Sequence, residues 1–503
     1  MILDVARANP DGLALTDGDR SYGWAELADR VTRIAHLYRG ELGLRPGDHA
    51  ALLMENRTEA IELVLAAFFA GIWLTPVSKH LTEEEIAYVL TDSGARVTLT
   101  DPTHEATVRA AARGKVLLVG DELEGLIDAA SDAPLDLSAP AGATMLYTSG
   151  TTGHPKGVKR KRPADVATAL AGQEQYGRAI HLGGQGPHVV TGPLYHAAPL
   201  LFAVYDMQNG APLVVMPRWD ERKFLDLVSE HGAPHTHLVP TMFVRLLRLP
   251  DDVRAAFDPS VLEVVLHGAA PIGRDTKQRM IDWWGPVLIE YRGGSESGVA
   301  TLATSEEWLA HPGTVGRAMP HYEVFTVSDT GARLPAGETG ALYSRHRQVE
   351  RLFEYHEAPE KTTAAYLDES AFTLGDIGSV DADGWVYLAD RKSNMIITGG
   401  VNVYPAEVEQ VLGAHPAVSD VGVFGIPDDE WGETVKAAIE LLPGRAPGPE
   451  LEREILAFAR EKLAGYKVPR SIDFEKELPR TPAGKLYVRR LRDRYWAGRD
   501  KNI

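Results

Sequence analysis

Strand-like and helix-like patterns alternate through most of this chain, and that alternation leaves few architectures open. Leu27, Val31, Ile34 and Leu37 recur at helical spacing within 24–42, and the turn Pro46-Gly47-Asp48 leads into the apolar run His49 to Met54. A second helical stretch, 58–70, ends at Gly71 and is followed by a short strand pattern at 73–77. The order strand, helix, strand returns at 94–120, 188–218 and 235–267, with a further strand at 286–290. This pattern predicts α/β layers with largely parallel sheets. At 503 residues the chain exceeds what one core usually serves, so two or more domains are expected.

The charged stretch Asp390–Asn394, after the strand pattern Trp385 to Leu388, is the best boundary between them. It divides a large N-terminal α/β domain, 1–390, from a small α+β domain, 394–503. In the latter, Leu451, Ile455, Phe458 and Leu463 predict one apolar face of a helix over 450–464. Strands are expected at 418–424, 435–442 and 470–474, and a helix at 405–412.

Charge and composition exclude several classes of function. Lys and Arg number 52 against 70 Asp and Glu, a net charge of −18, which argues against nucleic acid as a bulk partner. The absence of cysteine excludes disulfides, thiolate metal sites and a cysteine nucleophile. No basic segment followed by an apolar core opens the sequence, so a cytoplasmic protein is expected. The most apolar run, Leu63 to Leu74, is shorter than the roughly 20 residues of a membrane helix and reads as a buried helix. No membrane span is expected.

The chemistry concentrates at Thr148-Ser149-Gly150-Thr151-Thr152-Gly153-His154-Pro155-Lys156-Gly157, directly after the strand-like Ala143 to Tyr147. Glycines let backbone N–H groups turn toward one point, hydroxyls add donors and Lys156 adds charge, as a polyphosphate cradle requires. The spacing G-x-x-x-x-G-K-[ST] of the other common phosphate loop is absent. Alone, such a decamer reads equally well as a polar surface loop.

It does not stand alone. Tyr291-Arg292-Gly293-Gly294-Ser295-Glu296 follows, then Leu374-Gly375-Asp376, and Asp390-Arg391-Lys392-Ser393-Asn394. Gly399-Gly400-Val401-Asn402-Val403-Tyr404-Pro405 and Pro479-Arg480-Thr481-Pro482-Ala483-Gly484-Lys485 come last. In this order and spacing they resemble the core motifs of the adenylate-forming superfamily, which includes acyl-CoA synthetases, peptide-synthetase adenylation domains and luciferases. The resemblance runs from about Leu13 to Arg492. Texture such as Leu194-Tyr195-His196-Ala197-Ala198-Pro199 is similar to actinobacterial fatty-acid–CoA ligases and their secondary-metabolism relatives.

The resemblance implies a large N-terminal domain and a small mobile C-terminal domain that rotates between half-reactions. It implies that loop 148–157 holds the β- and γ-phosphates of ATP, with Thr148 also near Mg²⁺, and that Glu296 is a metal ligand. Ser295 would bond the α-phosphate, and Gly268, Ala269, Ala270 and Pro271 would wall the adenine. Asp376 would bind the ribose hydroxyls and Arg391 the ribose or phosphate. Lys485 would be the mobile catalytic lysine, and His196 would lie near the acceptor carboxylate. Gly293 and Gly294 would leave room for an acyl chain, and Gly399 and Gly400 would flank the approach of a pantetheine thiol. Most of these residues, met singly, are ordinary turn or surface positions.

Three positions depart from the superfamily pattern. Arg292 stands where an aromatic ring usually stacks on adenine, Ser295 replaces Thr, and Ser393 occupies the hinge. A guanidinium can stack too, but it brings a fixed positive charge to the substrate pocket. The leading expectation is an acid–CoA ligase using ATP and Mg²⁺, with CoA as co-substrate. The rivals are a diazotase-like enzyme that adenylates nitrite for attack by an aryl amine, with Arg292 beside the anion, and an enzyme that loads a carrier protein. A non-catalytic nucleotide-binding protein is the alternative of a different class.

Overall fold

The computed structural model describes residues 1–148, 155–391, 394–398, 401–428, 431–481 and 486–497, with Asp390 and Arg391 described by backbone alone. Four sheets organise them.

The largest has 13 strands and is mixed, which corrects the expectation of largely parallel sheets. One half is parallel: Leu13–Thr16, Leu213–Val215, His188–Val190, His235–Leu238, Val264–His267 and Leu288–Gly294 lie side by side. Beyond Leu288–Gly294 the direction alternates through Gly298–Ala303, Thr314–Ala318, Trp385–Arg391, Ala371–Val380, Gly340–His346 and Tyr322–Val327. The change follows from connection length. Helices separate the parallel strands, whereas Gly294 and Gly298 are joined by a turn too short for a crossover. Strand Leu288–Gly294 is therefore the seam.

A second sheet is parallel, in the order Lys115–Leu118, Ala95–Thr100, His49–Leu53, Trp73–Pro76, Ala143–Thr144. Helix Thr58–Ala70 is buried along its whole length. It stops at Ala70 rather than Leu74 because Gly71 takes φ 78°, a left-handed cap that favours glycine. Its buried Glu62 is held by Arg30 Nε at 2.7 Å, and Arg30 Nη1 meets Glu124 at 2.8 Å. Burial pushes the Glu62 carboxyl up to about 7, opposed by Arg30.

The strand expected over 143–147 is two strands. Ala143–Thr144 joins the second sheet, and Leu146–Thr148 opens a three-stranded sheet with Lys156–Arg160 and Phe353–Tyr355. The last sheet joins Val401–Val403, Ile396–Thr398, Gly432–Leu441, Val418–Asp428 and Ser471–Glu475. Helices Pro405–Gly413 and Pro449–Arg460 pack beside it. The second helix ends before Leu463 and buries Ile455, Leu456 and Ala459, so Phe458 sits at the edge of the expected face. Among the described residues, no helix is long and apolar enough to cross a membrane.

Candidate active site

Thr148 and Lys156 face each other in an antiparallel pair of strands. Ser149, Gly150, Thr151, Thr152 and Gly153 lie outside the described residues, as do Ser393, Gly399, Gly400, Lys485 and the side chain of Arg391. Strand Lys156–Arg160 also pairs with Phe353–Tyr355, in the register Val158 to Tyr355. This places Tyr355 beside the base of the loop, and Lys156 Nζ lies 4.5 Å above the Tyr355 ring centroid.

Glu296 arrives from the other side. It follows the seam strand in the turn between Leu288–Gly294 and Gly298–Ala303, and it is buried. The Tyr355 hydroxyl donates to its Oε1 at 3.0 Å. Burial, with Glu296 nearby, pushes the Tyr355 phenol far above its usual range, so it remains a donor. Burial lowers the Lys156 ammonium, with Lys361 adding repulsion and Glu296 opposing it. Lys156 and Glu296 thus both contact Tyr355, one over its face and the other at its hydroxyl.

Within the same hairpin, Arg292 is buried and bound. Its Nε donates to Asp376 Oδ2 at 2.8 Å and its Nη1 to Ser344 Oγ at 3.2 Å, while Nη2 has no partner among the described residues. Two residues expected to touch the nucleotide independently are therefore ion-paired to one another. Arg292 is therefore not a lone cation.

The glycines have structural reasons of their own. A Cβ on Gly293 would lie 1.9 Å from the Gly298 carbonyl oxygen, so the hairpin requires glycine there whatever the acceptor is. A Cβ on Gly294 would lie 3.0 Å from Glu296 Oε2. At Gly268 the Tyr291 carbonyl oxygen would be 2.6 Å away, which brings this wall directly against the seam strand. Ala269 takes φ 65°, uncommon without glycine. Ala270 and Pro271 continue the wall, and Ser295 is half-buried next to Glu296.

His196 is the N-cap residue of helix Ala197–Gln208, and its ring lies 4.6 Å from that of Tyr195. The segment before it is pinned by Asn56, which donates to the Gly192 carbonyl at 2.9 Å and accepts from the Leu194 N–H at 3.0 Å. From the same helix, Phe202 meets the rings of His237 and Tyr291 at 5.4 and 5.1 Å. His237 Nε2 and the Tyr291 hydroxyl are 3.0 Å apart. Burial brings His237 down to about 3, so it is neutral. His237 and Tyr291 stand on strands His235–Leu238 and Leu288–Gly294, which belong to the parallel half of the large sheet.

Tyr355, Ser344, Asn56 and His237 escaped the sequence reading. None sits in a stretch with a chemical pattern, and only pairing between distant strands brings them to the site.

The residues suit Mg²⁺. Thr148 and Glu296 offer hard oxygen donors, and Mg²⁺ takes one or two carboxylates and fills its shell with water and substrate phosphate. Among the described residues, no group of three or more His, Cys, Asp and Glu side chains makes a self-sufficient metal site.

Comparison with known proteins agrees with this geometry. Residues 3–353 match the AMP-binding enzyme family, and residues 407–485 match the AMP-binding enzyme C-terminal domain. Feruloyl-CoA synthase of an Amycolatopsis species is 34% identical over 505 residues, covering 97% of either chain. ATP-bound MatB from Rhodopseudomonas palustris superposes with a TM-score of 0.86 at 28% identity, covering 98% of both chains. Amide bond synthetase McbA from Marinactinospora thermotolerans gives a TM-score of 0.84 at 27% identity, covering 99% of this chain and 100% of its own.

Proposed function

The chain belongs to the AMP-binding enzyme family, and from that premise we propose that it is an acid–CoA ligase working through an acyl-adenylate. The coarser statement, an ATP-dependent AMP-forming ligase, holds for the family and its CoA-ligase members. One observation supports the finer one, the likeness to feruloyl-CoA synthase along nearly the whole chain. Its adenylating half is supported by Lys156 and Glu296, a cation and a carboxylate that share Tyr355 as a partner and suit a metal-bound polyphosphate.

In the first half-reaction a carboxylate oxygen attacks the α-phosphorus of ATP. The bond to pyrophosphate breaks, and acyl-AMP remains. Positioning and charge stabilisation supply most of such catalysis. When bound, Mg²⁺ screens the phosphate charge and orients the leaving group. Lys156 faces the departing phosphates, and Thr148 and Glu296 supply the metal's protein ligands. Ser295 and Lys485 are assigned to the α-phosphate, the latter brought in by the C-terminal domain 394–503. Asp376 and Arg391 are assigned to the ribose, and Gly268 to Pro271 to the adenine. His196, at the mouth of the Phe202–His237–Tyr291 cluster, orients the acid. In the second half-reaction a CoA thiol, passing Gly399 and Gly400, takes the acyl group and releases AMP. The structural likeness to an amide bond synthetase supports a second reading for this step alone, with an amine in place of the thiol.

Pyrophosphate release measured over aliphatic and aromatic acids, with and without CoA, tests the proposal. At least one acid is expected to give release that depends on Lys485, and CoA is expected to yield the thioester. No release with any acid, or equal release from Lys485→Ala, would sink it.

A further inference from the structure

Lys156 and Glu296 carry opposite charges and flank one side chain, yet they form no ion pair among the described residues. Both touch the Tyr355 side chain, Lys156 over its ring face and Glu296 at its hydroxyl. We propose that Tyr355 is a positioning residue that holds Glu296 and Lys156 apart and aims both at the polyphosphate of ATP. The proposal rests on the adenylating function above.

Tyr355 is fixed from two directions before its side chain is considered. Its backbone pairs with Val158, its N–H donates to Thr362 Oγ1 at 2.9 Å, and the next N–H, of His356, donates to the Gly157 carbonyl at 2.8 Å. These contacts fix the backbone from which the ring projects.

Its two ends act differently. The hydroxyl donates to Oε1 and so fixes one carboxylate oxygen. The other, Oε2, is left toward the Gly294 backbone side. The ring face carries the Lys156 ammonium through its quadrupole, which attracts a cation without neutralising its net charge. A direct Lys156–Glu296 salt bridge would quench both groups, because each would answer the other instead of the ligand. A side chain that engages each of them separately, one on its face and one at its hydroxyl, keeps a metal-facing anion and a phosphate-facing cation available together.

Two substitutions separate the roles. Tyr355→Phe keeps the spacer and loses the tether, whereas Tyr355→Leu loses the ring face as well. Binding of α,β-methylene-ATP is measured by calorimetry at limiting and at saturating Mg²⁺, beside pyrophosphate release and a melting curve. The Phe protein is expected to need about tenfold more Mg²⁺ for half-maximal binding, the scale of one charge-assisted hydrogen bond, with saturating-Mg²⁺ affinity near parental. The Leu protein is expected to lose affinity at saturating Mg²⁺ too. Parental Mg²⁺ dependence in the Phe protein overturns the tether, and parental affinity in the Leu protein overturns the spacer. Should the Leu protein not fold, the Phe protein alone decides. A parent that binds the analogue but releases no pyrophosphate from any acid fails the ligase reading and leaves the binding comparison to judge Tyr355; a parent that does not bind the analogue overturns both.

Discussion

Arg292 stands where the superfamily motif carries an aromatic ring, and its guanidinium is committed to Asp376 at 2.8 Å inside the protein. Arg292 is 5% exposed and Asp376 7%, so solvent screens the pair little. Arg292→Tyr restores the usual residue type yet removes the counter-charge of a buried carboxylate. It is expected to cost on the order of 3 kcal/mol, and Asp376→Asn a similar amount. The double variant Arg292→Tyr/Asp376→Asn should cost clearly less than the sum, because the residues act on each other. Denaturant midpoints of the four proteins measure this coupling. Strict additivity would mean that the 2.8 Å contact contributes nothing. The sequence made Arg292 conspicuous and could not supply its partner, since Asp376 is 84 residues away on strand Ala371–Val380, which is not paired with Leu288–Gly294.

At the scale of elements, two adjacent glycines in the hairpin that carries Glu296 should behave differently. Gly293→Ala drives a Cβ into a backbone carbonyl 1.9 Å away, so the hairpin must open. Gly294→Ala meets only the end of a side chain, Glu296 Oε2 at 3.0 Å. The first variant is expected to lower the melting temperature and abolish pyrophosphate release. The second should melt near the parent and change the Mg²⁺ titration. Equal effects on melting would contradict the geometry. Local signals served the helices well: 58–70 was legible because Gly71 ends an apolar run, and 24–42 because its stripe recurs at helical spacing. They failed where pairing decides. Nothing in Ala143 to Tyr147 marks Met145 as the point where the chain leaves one sheet for another, and nothing in Phe353–Tyr355 marks it as a partner of Lys156–Arg160.

Across the whole molecule, buried histidines set a dependence on acidity. The ordinary histidine value is 6.5; burial brings His237 down to about 3 and His267 well below the ordinary value. An unfolded chain protonates both near neutrality while the folded chain keeps them neutral, so their stabilisation is present above pH 6.5 and lost as pH falls toward 3. Glu62, raised to about 7, works in the opposite sense, being favourable below pH 4.5 and lost as pH rises through 7. A difference between two proteins isolates one term. Relative to His237→Gln, the parent should lose about 1.4 kcal/mol between pH 8 and 5.5. Chemical unfolding at the two pH values checks it, and parallel curves would place the proton elsewhere. The site itself was legible wherever a motif lies contiguous in sequence, as at Glu296, and invisible where it is assembled by fold, as at Tyr355. The seam strand Leu288–Gly294 draws one more consequence from that assembly. On its parallel flank lies His237, with Phe202 packed on it; on its antiparallel flank lie Glu296 and Asp376, with Tyr355 bonded to Glu296. Selection can therefore rewrite what is activated on one side of a single strand while the means of activating it, inherited on the other, stays untouched.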